Sequence, residues 1–336
     1  MFRLYQLAAI VAIIFLSGML SACDEDQVGG EEGVLELSIL GLLGTMEKAQ
    51  AQVAISNSSM DRSLNFEGPS TQSITLPVGS YQINAAEVAK HISPDYITVT
   101  IQADETTQAS MSYRLRAGLV HQGSDEDNAD NRILQPADET SKQHMDNTDV
   151  LLASSGDLLI GVLGNDTLVG SPEDDILVGG PENFVGPNSD VIYGGAGDDI
   201  NIWVPGDGSD AVIGGAGNDI SIFAPFKNQS APGAVPTLSD GNGRPVPQVS
   251  ISNKPQFTCS IEAVPSSEGL GYEFLLRFAV NGDVKVTVRH SEVEAIVCPS
   301  DEEGTLLLAD LSEGTSFSKV SLDHFADTLL GEILRP

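Results

Sequence analysis

The chain has 336 residues and carries 16 Lys and Arg against 48 Asp and Glu, a formal net charge of −32. That balance excludes nucleic acid as a partner, because phosphate recognition needs a basic surface, and it favours cations or a solvated acidic surface. A hydrophobic share of 41% is enough for packed cores, and 34 glycines point to turns and repeats rather than long helices.

Residues 1–22 have the layout of an export signal. Arg3 gives a positive start, residues 7–16 are apolar, and Leu20-Ser21-Ala22 lead into Cys23. The apolar run is too short for a comfortable membrane span. Leu20-Ser21-Ala22-Cys23 resembles the lipobox of bacterial lipoproteins. The resemblance implies that Cys23 is diacylated on sulfur and becomes the mature N-terminus. The chain would then be anchored in a membrane through that lipid, on the periplasmic side or at the outer-membrane surface of a bacterium. Residues 23–32 are a polar tether between lipid and first domain.

Residues 33–118 alternate polar and apolar side chains in six short runs: 34–39, 51–55, 73–76, 80–83, 96–101 and 109–113. Period-two runs separated by turn residues predict a small antiparallel β-sandwich. Leu76-Pro77-Val78-Gly79-Ser80-Tyr81 resembles the Leu-Pro-x-Gly-x-Tyr hairpin of prealbumin-like carrier domains. That likeness implies a spacer or binding sandwich without chemistry of its own. Residues 119–148 are polar and acidic with little periodicity, and they read as a linker. Its Asp125–Asp130 stretch lacks the glycine and closing Glu of an EF-hand loop.

Residues 149–224 repeat a glycine–aspartate–hydrophobic unit with a period of nine. The cleanest copies are Gly194-Gly195-Ala196-Gly197-Asp198-Asp199-Ile200-Asn201-Ile202 and Gly214-Gly215-Ala216-Gly217-Asn218-Asp219-Ile220-Ser221-Ile222. Between residues 149 and 226 there is no Lys or Arg, against thirteen Asp or Glu. A segment so one-sided repels itself unless cations neutralise it. Glycines allow positive φ and close backbone approach in a tight turn. The sixth-position Asp is a hard oxygen ligand suited to calcium. The apolar residue two places on (Leu159, Leu168, Leu177, Ile192, Val212) is expected to face a thin core. With two units per coil, Asp166, Asp190 and Asp210 are expected along one edge. Asp157, Asp175, Asp199 and Asp219 are expected along the other.

The segment resembles the RTX, or haemolysin-type, calcium-binding repeat, whose fold is a parallel β-roll. The resemblance implies Ca2+ held between stacked turns. Its ligand set would be those seven Asp with Gly164, Gly194, Gly195, Gly197, Gly208, Gly214, Gly215 and Gly217. Asn201 and Ser221 depart from the pattern, standing where a bulky inward residue is usual. Glu173 replaces the fourth-position glycine, and an insertion of about six residues around Phe184 breaks the spacing. Without metal, carboxylate repulsion predicts disorder of this segment.

Residues 225–336 open with a Pro/Gly/Asn-rich connection and resume alternation from Phe257, with Asn281-Gly282 marking a hairpin. They predict a small β domain capping the solenoid, with a short helix over 324–334. Apart from Cys23 the cysteines are Cys259 and Cys298. In an exported protein two leftover thiols pair, and the alternative is two buried free thiols. Closing a loop of roughly 40 residues would stabilise the fold by about 4 kcal/mol.

Ser321-Leu322-Asp323-His324 holds triad residue types, but adjacent residues make a cap or surface turn more readily than a triad. No nucleophile elbow, zincin motif or phosphate loop is present. The expected architecture is all-β: a prealbumin-like sandwich, a central parallel β-roll and a small C-terminal β domain. The expected function is that of a non-enzymatic, calcium-binding envelope or cell-surface lipoprotein. Its expected role is structural or adhesive, with a surface polysaccharide or protein as partner. Two other readings compete: an enzyme or enzyme subunit with a site in residues 225–336, and an inert spacer.

Overall fold

The structure is a computed structural model. It describes residues 31–45, 47–115, 120–122, 132–134, 149–153, 156–161, 165–180, 189–204, 207–224, 237–239, 246–249, 251 and 254–334. The export signal, Cys23 and most of the tether lie outside these residues. Among the described residues the molecule is nearly all β, and no helix is long and apolar enough to cross a membrane.

The N-terminal unit is a two-sheet sandwich. One sheet has the order Ser70–Pro77, Glu32–Leu40, Thr106–Ser112; the other has Asp61–Glu67, Gln50–Ser56, Gly79–Ala85, Ile97–Ile101. Alternation sets the inward faces: Leu35, Leu37 and Ile39 from one sheet meet Val53, Ile55 and Ile83 from the other, all fully buried. Two features differ from the sequence expectation. Glu32–Leu40 and Thr106–Ser112 pair in parallel, so the sandwich is not purely antiparallel. The Leu-Pro-x-Gly-x-Tyr segment is a corner and not a hairpin: Ser70–Pro77 and Gly79–Ala85 belong to different sheets. Tyr81 pins that corner by donating its hydroxyl to the Pro77 carbonyl at 3.0 Å.

The second unit is a parallel β-roll of two facing sheets. One sheet runs Val120–Gln122, Leu158–Ile160, Ile176–Val178, Ile200–Trp203, Ile220–Phe223, Ala295–Pro299, each strand parallel to the last. The other runs Arg132–Leu134, Asp149–Leu152, Thr167–Val169, Val191–Ala196, Ala211–Ala216, Asp283–Ser291, again in parallel. The ladders therefore extend beyond 149–224 at both ends. Short strands in the acidic segment start the coil, and the C-terminal region adds its last rung. Antiparallel strands then close each sheet: Thr305–Asp310 and Ser318–Ser321 on one, Phe274–Val280 and Phe257–Ala263 on the other. The Asn281-Gly282 hairpin joins two of these strands, both residues having positive φ.

Leu159, Leu168, Leu177, Ile192 and Val212 all face the space between the two sheets. Asn201 and Ser221 take the next inward positions on their sheet and satisfy each other at 3.0 Å. Trp203 and Phe223 stack with ring centroids 3.9 Å apart, filling the volume that these short side chains leave. The two outer faces differ. Ile176, Val178, Ile200, Ile202, Ile220 and Ile222 point away from the roll but are covered by Val249, Ile251, Phe325 and the helix Leu329–Leu334. The opposite sheet leaves Tyr193 exposed. This explains why one set of strands reads apolar throughout and the other alternates. A disulfide between Cys259 and Cys298, with Cα atoms 6.5 Å apart, ties the two sheets together across the cap.

Candidate metal centre

The repeat turns bring their sixth-position aspartates into two stacks. On one edge the Asp157 N–H donates to Asp175 Oδ1 at 2.5 Å, Asp175 N–H to Asp199 Oδ1 at 2.7 Å, and Asp199 N–H to Asp219 Oδ1 at 2.8 Å. On the other, Asp166 N–H donates to Asp190 Oδ1 at 2.7 Å and Asp190 N–H to Asp210 Oδ1 at 2.9 Å. These are the two edges that the nine-residue period predicts. Each aspartate also lends its carbonyl to the next rung: Ile176, Ile200 and Ile220 donate to Asp157, Asp175 and Asp199, all at 2.9 Å. Backbone and one carboxylate oxygen are thus consumed by the fold; Asp175 gives its second oxygen to the Ser171 N–H at 2.5 Å, whereas at Asp190, Asp199 and Asp219 the second oxygen is left for something else.

That second oxygen has a defined place. A Cβ on Gly194 would lie 2.4 Å from Asp199 Oδ2 and 2.4 Å from the Gly214 carbonyl oxygen. A Cβ on Gly214 would lie 2.6 Å from Asp219 Oδ2 and 1.9 Å from the Glu292 carbonyl oxygen. The first glycine of each unit is therefore required for close approach, while Gly195, Gly197, Gly215 and Gly217 are required for positive φ. Asp190, Asp199 and Asp219 have fully buried Oδ2 atoms with no hydrogen-bond donor. A buried acceptor without a donor is costly. A hard cation would relieve it, so the residues present fit calcium, whose preferred ligands are carboxylate and carbonyl oxygens.

Electrostatics agree with that fit. Burial, reinforced by the repulsive Asp175 charge, pushes the Asp199 carboxyl up to about 8 against an opposing hydrogen bond from the Asp175 backbone. Burial likewise raises Asp210 to about 7 and Asp219 to about 6. Asp190 is raised well above the ordinary carboxylate range by burial and by the charges of Asp210 and Asp166. Burial outweighs the compensation in every case: Arg289 favours the ionised form of Asp210 only in part, and no positive charge offsets the burial of Asp190, Asp199 or Asp219.

Two carboxylates that join these stacks were not among the expected ligands. Asp207 is buried, and its ligand atom lies within 4.8 Å of those of Asp190 and Asp210. Glu294 ends the first stack, accepting the Asp219 N–H at 2.7 Å from 75 residues further along the chain. Of the expected glycines, Gly208 gives its carbonyl to Trp203 Nε1 at 3.0 Å, and Gly164 lies outside the described residues.

A further ladder runs beside the first on fifth positions. Asp198 N–H donates to Asp174 Oδ1, and Asn218 N–H to Asp198 Oδ1 at 3.0 Å. Lys90 of the sandwich pairs with Asp174 and stands 3.8 Å from Asp198, while Thr45 donates to Asp174 Oδ2 at 3.2 Å. In the cap, Ser321 acts as a helix N-cap, accepting from the Asp323 N–H at 3.2 Å.

The RTX calcium-binding nonapeptide repeat is found here in four copies, over residues 148–183, 185–200 and 206–220. No curated protein gives a significant match to the chain. Among solved structures, the Bacillus anthracis TIE protein is similar over 27% of this chain at 15% identity, with a TM-score of 0.22. The match spans only 19% of that protein, and a likeness so partial carries no weight for fold or function. The repeats cover roughly a fifth of the sequence, and within them the chain is a β-roll built from RTX calcium-binding units.

Proposed function

We propose that this protein is a calcium-ordered envelope or cell-surface lipoprotein, in which the β-roll is the element that calcium switches from loose to stiff. The observation that carries the reading is the pair of aspartate stacks, whose buried Oδ2 atoms at Asp190, Asp199 and Asp219 have no donor. Calcium would bind between successive turns through these oxygens and turn carbonyls. The ion supplies charge neutralisation, and the protein supplies register, glycine clearance and a dry surround. The lipidated Cys23 would hold the sandwich near the membrane and place the roll in a compartment where calcium reaches millimolar levels. The role that follows is structural or adhesive, with a stiffened rod presenting the sandwich, the cap or both to a surface polysaccharide or protein.

Calcium titration of the full chain, followed by far-UV circular dichroism and native mass spectrometry, tests the metal reading. The expected result is a saturable gain of β signal with several ions bound. A spectrum and mass indifferent to calcium and chelator would overturn it. Labelling with radioactive palmitate tests the anchor: incorporation is expected in the intact chain and lost in Cys23→Ser.

A further inference from the structure

Among the described residues, one step of the roll differs from the others. At a regular step two sixth-position aspartates face each other across stacked turns. Between the turn ending in Asp190 and the turn ending in Asp210 a third carboxylate enters, from Asp207. It occupies the third position of its unit, where the other units of this chain that fit the nine-residue spacing carry no aspartate. The three side chains are 1%, 4% and 2% exposed in the order Asp190, Asp207, Asp210. Ligand oxygens of all three fall within 4.8 Å of one another.

The pocket is shaped as well as charged. Asp207 Oδ1 accepts from the Gly208 N–H at 3.2 Å, and its carboxylate also accepts from the Gly180 N–H. Its Oδ2 and the Oδ2 of Asp190 are buried with no donor. Gly179 closes the other side: a Cβ there would lie 2.3 Å from Asp190 Oδ2 and 3.2 Å from Asp207 Oδ2. A Cβ on Gly180 would lie 2.9 Å from the Asp207 carboxyl carbon. Two consecutive glycines therefore admit the extra carboxylate. The positive group facing the site is Arg289, whose guanidinium donates to the Ser209 carbonyl at 3.1 Å and favours the ionised form of Asp210.

We propose that Asp190, Asp207 and Asp210 form a distinct three-carboxylate site for a hard divalent cation of the calcium class, and that it fills before the two-carboxylate steps. This rests on the calcium reading above and deepens it by giving the roll an order of loading. Three buried like charges at this separation repel strongly when no cation is present. Oxygen sites for calcium tighten as their ligand charge rises. The same step is therefore the least favourable part of the metal-free roll and the part that gains most from an ion. It lies inside the coil, with parallel rungs on both sides of it, so a turn ordered here templates rungs in both directions.

The chain carries its own reporter. Trp203 is the sole tryptophan, and its Nε1–H holds the carbonyl of Gly208, the residue after Asp207. In the metal-free full chain titrated with terbium, excitation of Trp203 is expected to give sensitised emission that saturates at the first bound ion. Calcium is expected to displace that ion. Asp207→Asn keeps the shape and both repeat aspartates, and it is expected to weaken the first step by about ten- to a hundredfold, the range usual for losing a group that supports a metal. Asp199→Asn, on the other edge, is expected to leave the first step in place and remove a later one.

Melting in excess chelator supplies a second readout with opposite sign. Asp207→Asn is expected to melt no lower than the wild type there, because it removes a buried charge, and yet to gain less from calcium. A purely structural role would lower both melting points. The proposal is overturned if the emission saturates only with the last ions, a result that needs no variant. It is also overturned if Asp207→Asn titrates like the wild type, or if Asp199→Asn abolishes the first step. Native mass spectrometry separates the two readings. No calcium bound at all removes the ordered-roll reading together with this one, whereas several ions bound with an unaltered first step in Asp207→Asn removes this one alone.

Discussion

The sandwich and the roll solve the same problem, hiding apolar surface, with opposite treatments of charge. In the sandwich the core is Leu35, Leu37, Ile39, Val53, Ile55, Phe66 and Tyr81, and the buried polar side chains attached to it are His91 and Thr45. In the roll, Asp157, Asp166, Asp174, Asp175, Asp190, Asp199, Asp207, Asp210 and Asp219 are all buried. A two-sheet sandwich brings enough apolar area together to fold by itself. The roll is one side chain thick inside, and each coil it adds buries two carboxylates beside its few inward apolar residues. Its stability is therefore conditional on something that neutralises them.

The strongest way to break that comparison is to remove calcium. In chelator, amide hydrogen exchange is expected to accelerate across the roll strands from Leu158–Ile160 to Ile220–Phe223, while strands such as Glu32–Leu40 and Gln50–Ser56 stay protected. Uniform loss of protection would mean that the sandwich depends on the roll. Uniform retention would mean that the roll stands without metal.

Protons are the next lever, because they neutralise the same oxygens. The carboxyls of Asp219, Asp210 and Asp199 are raised in the fold to about 6, about 7 and about 8 from an ordinary value of 3.8. A raised acid binds its proton more tightly in the folded state than in the unfolded one. Its contribution is complete below the unfolded value and is lost as pH rises through the folded one. In chelator, β signal from the roll is expected to return as pH falls from about 8 to about 5. In excess calcium the trend reverses, since protons then compete with the ion. Circular dichroism at the two pH values, with and without calcium, checks both signs.

Glycine substitution compares the two units residue for residue. Gly214→Ala would set its Cβ 1.9 Å from a backbone carbonyl oxygen, whereas Gly79→Ala in the sandwich meets Tyr81 at an ordinary 3.7 Å. Denaturant unfolding in excess calcium is expected to show a loss of about 3 kcal/mol for the first and less than about 1 kcal/mol for the second. Below that comes the choice of substitution at Asp199. Asp199→Ala removes the acceptor of the Asp175 N–H, a loss of about 1–3 kcal/mol for a buried donor left unmade. Asp199→Asn keeps an oxygen there and is expected to show the calcium defect with little loss of fold stability. Equal losses would place the role of Asp199 in the backbone ladder alone.

The two units also differed in how far their sequences could be read. In the roll a period of nine, interrupted by an insertion before Asp190, gave the β-roll, the inward residues and both aspartate edges, because the coils repeat the same constraint and seven aspartates share it. Glu294 escaped because it closes a stack after a long excursion, on a turn with no glycine–aspartate pattern. Asp207 escaped because the third position carries no aspartate in the other units that fit the spacing, and only the folded coil shows it turning toward Gly179 and Gly180. In the sandwich, alternation gave the strands but not their partners. The parallel pairing of Glu32–Leu40 with Thr106–Ser112 joins distant segments, and alternation is the same for either direction. The strand Asp61–Glu67 escaped because of its seven residues only Phe66 is buried.

The smallest expected effect lies at the contact between the two units. The loop of Gly44 and Thr45 accepts the Leu329 and Leu330 N–H groups at 2.8 and 3.2 Å, so backbone bonds hold the junction whatever the charges do. Lys90 adds its ammonium against Asp174, whose side chain is 10% exposed, while the lysine itself is 37% exposed. Solvent screening at the lysine limits such a pair to about 0.5–1 kcal/mol. Lys90→Met keeps the aliphatic stem and removes the charge. Because Asp174 and Asp198 stand beside the ligand stack without being part of it, the loss of that charge is felt most when the neighbouring aspartates are also uncompensated. The melting temperature at low calcium is therefore expected to fall by roughly 1–4 °C in Lys90→Met, while the melting temperature at saturating calcium barely moves. An equal shift under both conditions would make Lys90 an ordinary docking contact. A shift confined to low calcium would make it the sandwich's own contribution to neutralising the roll.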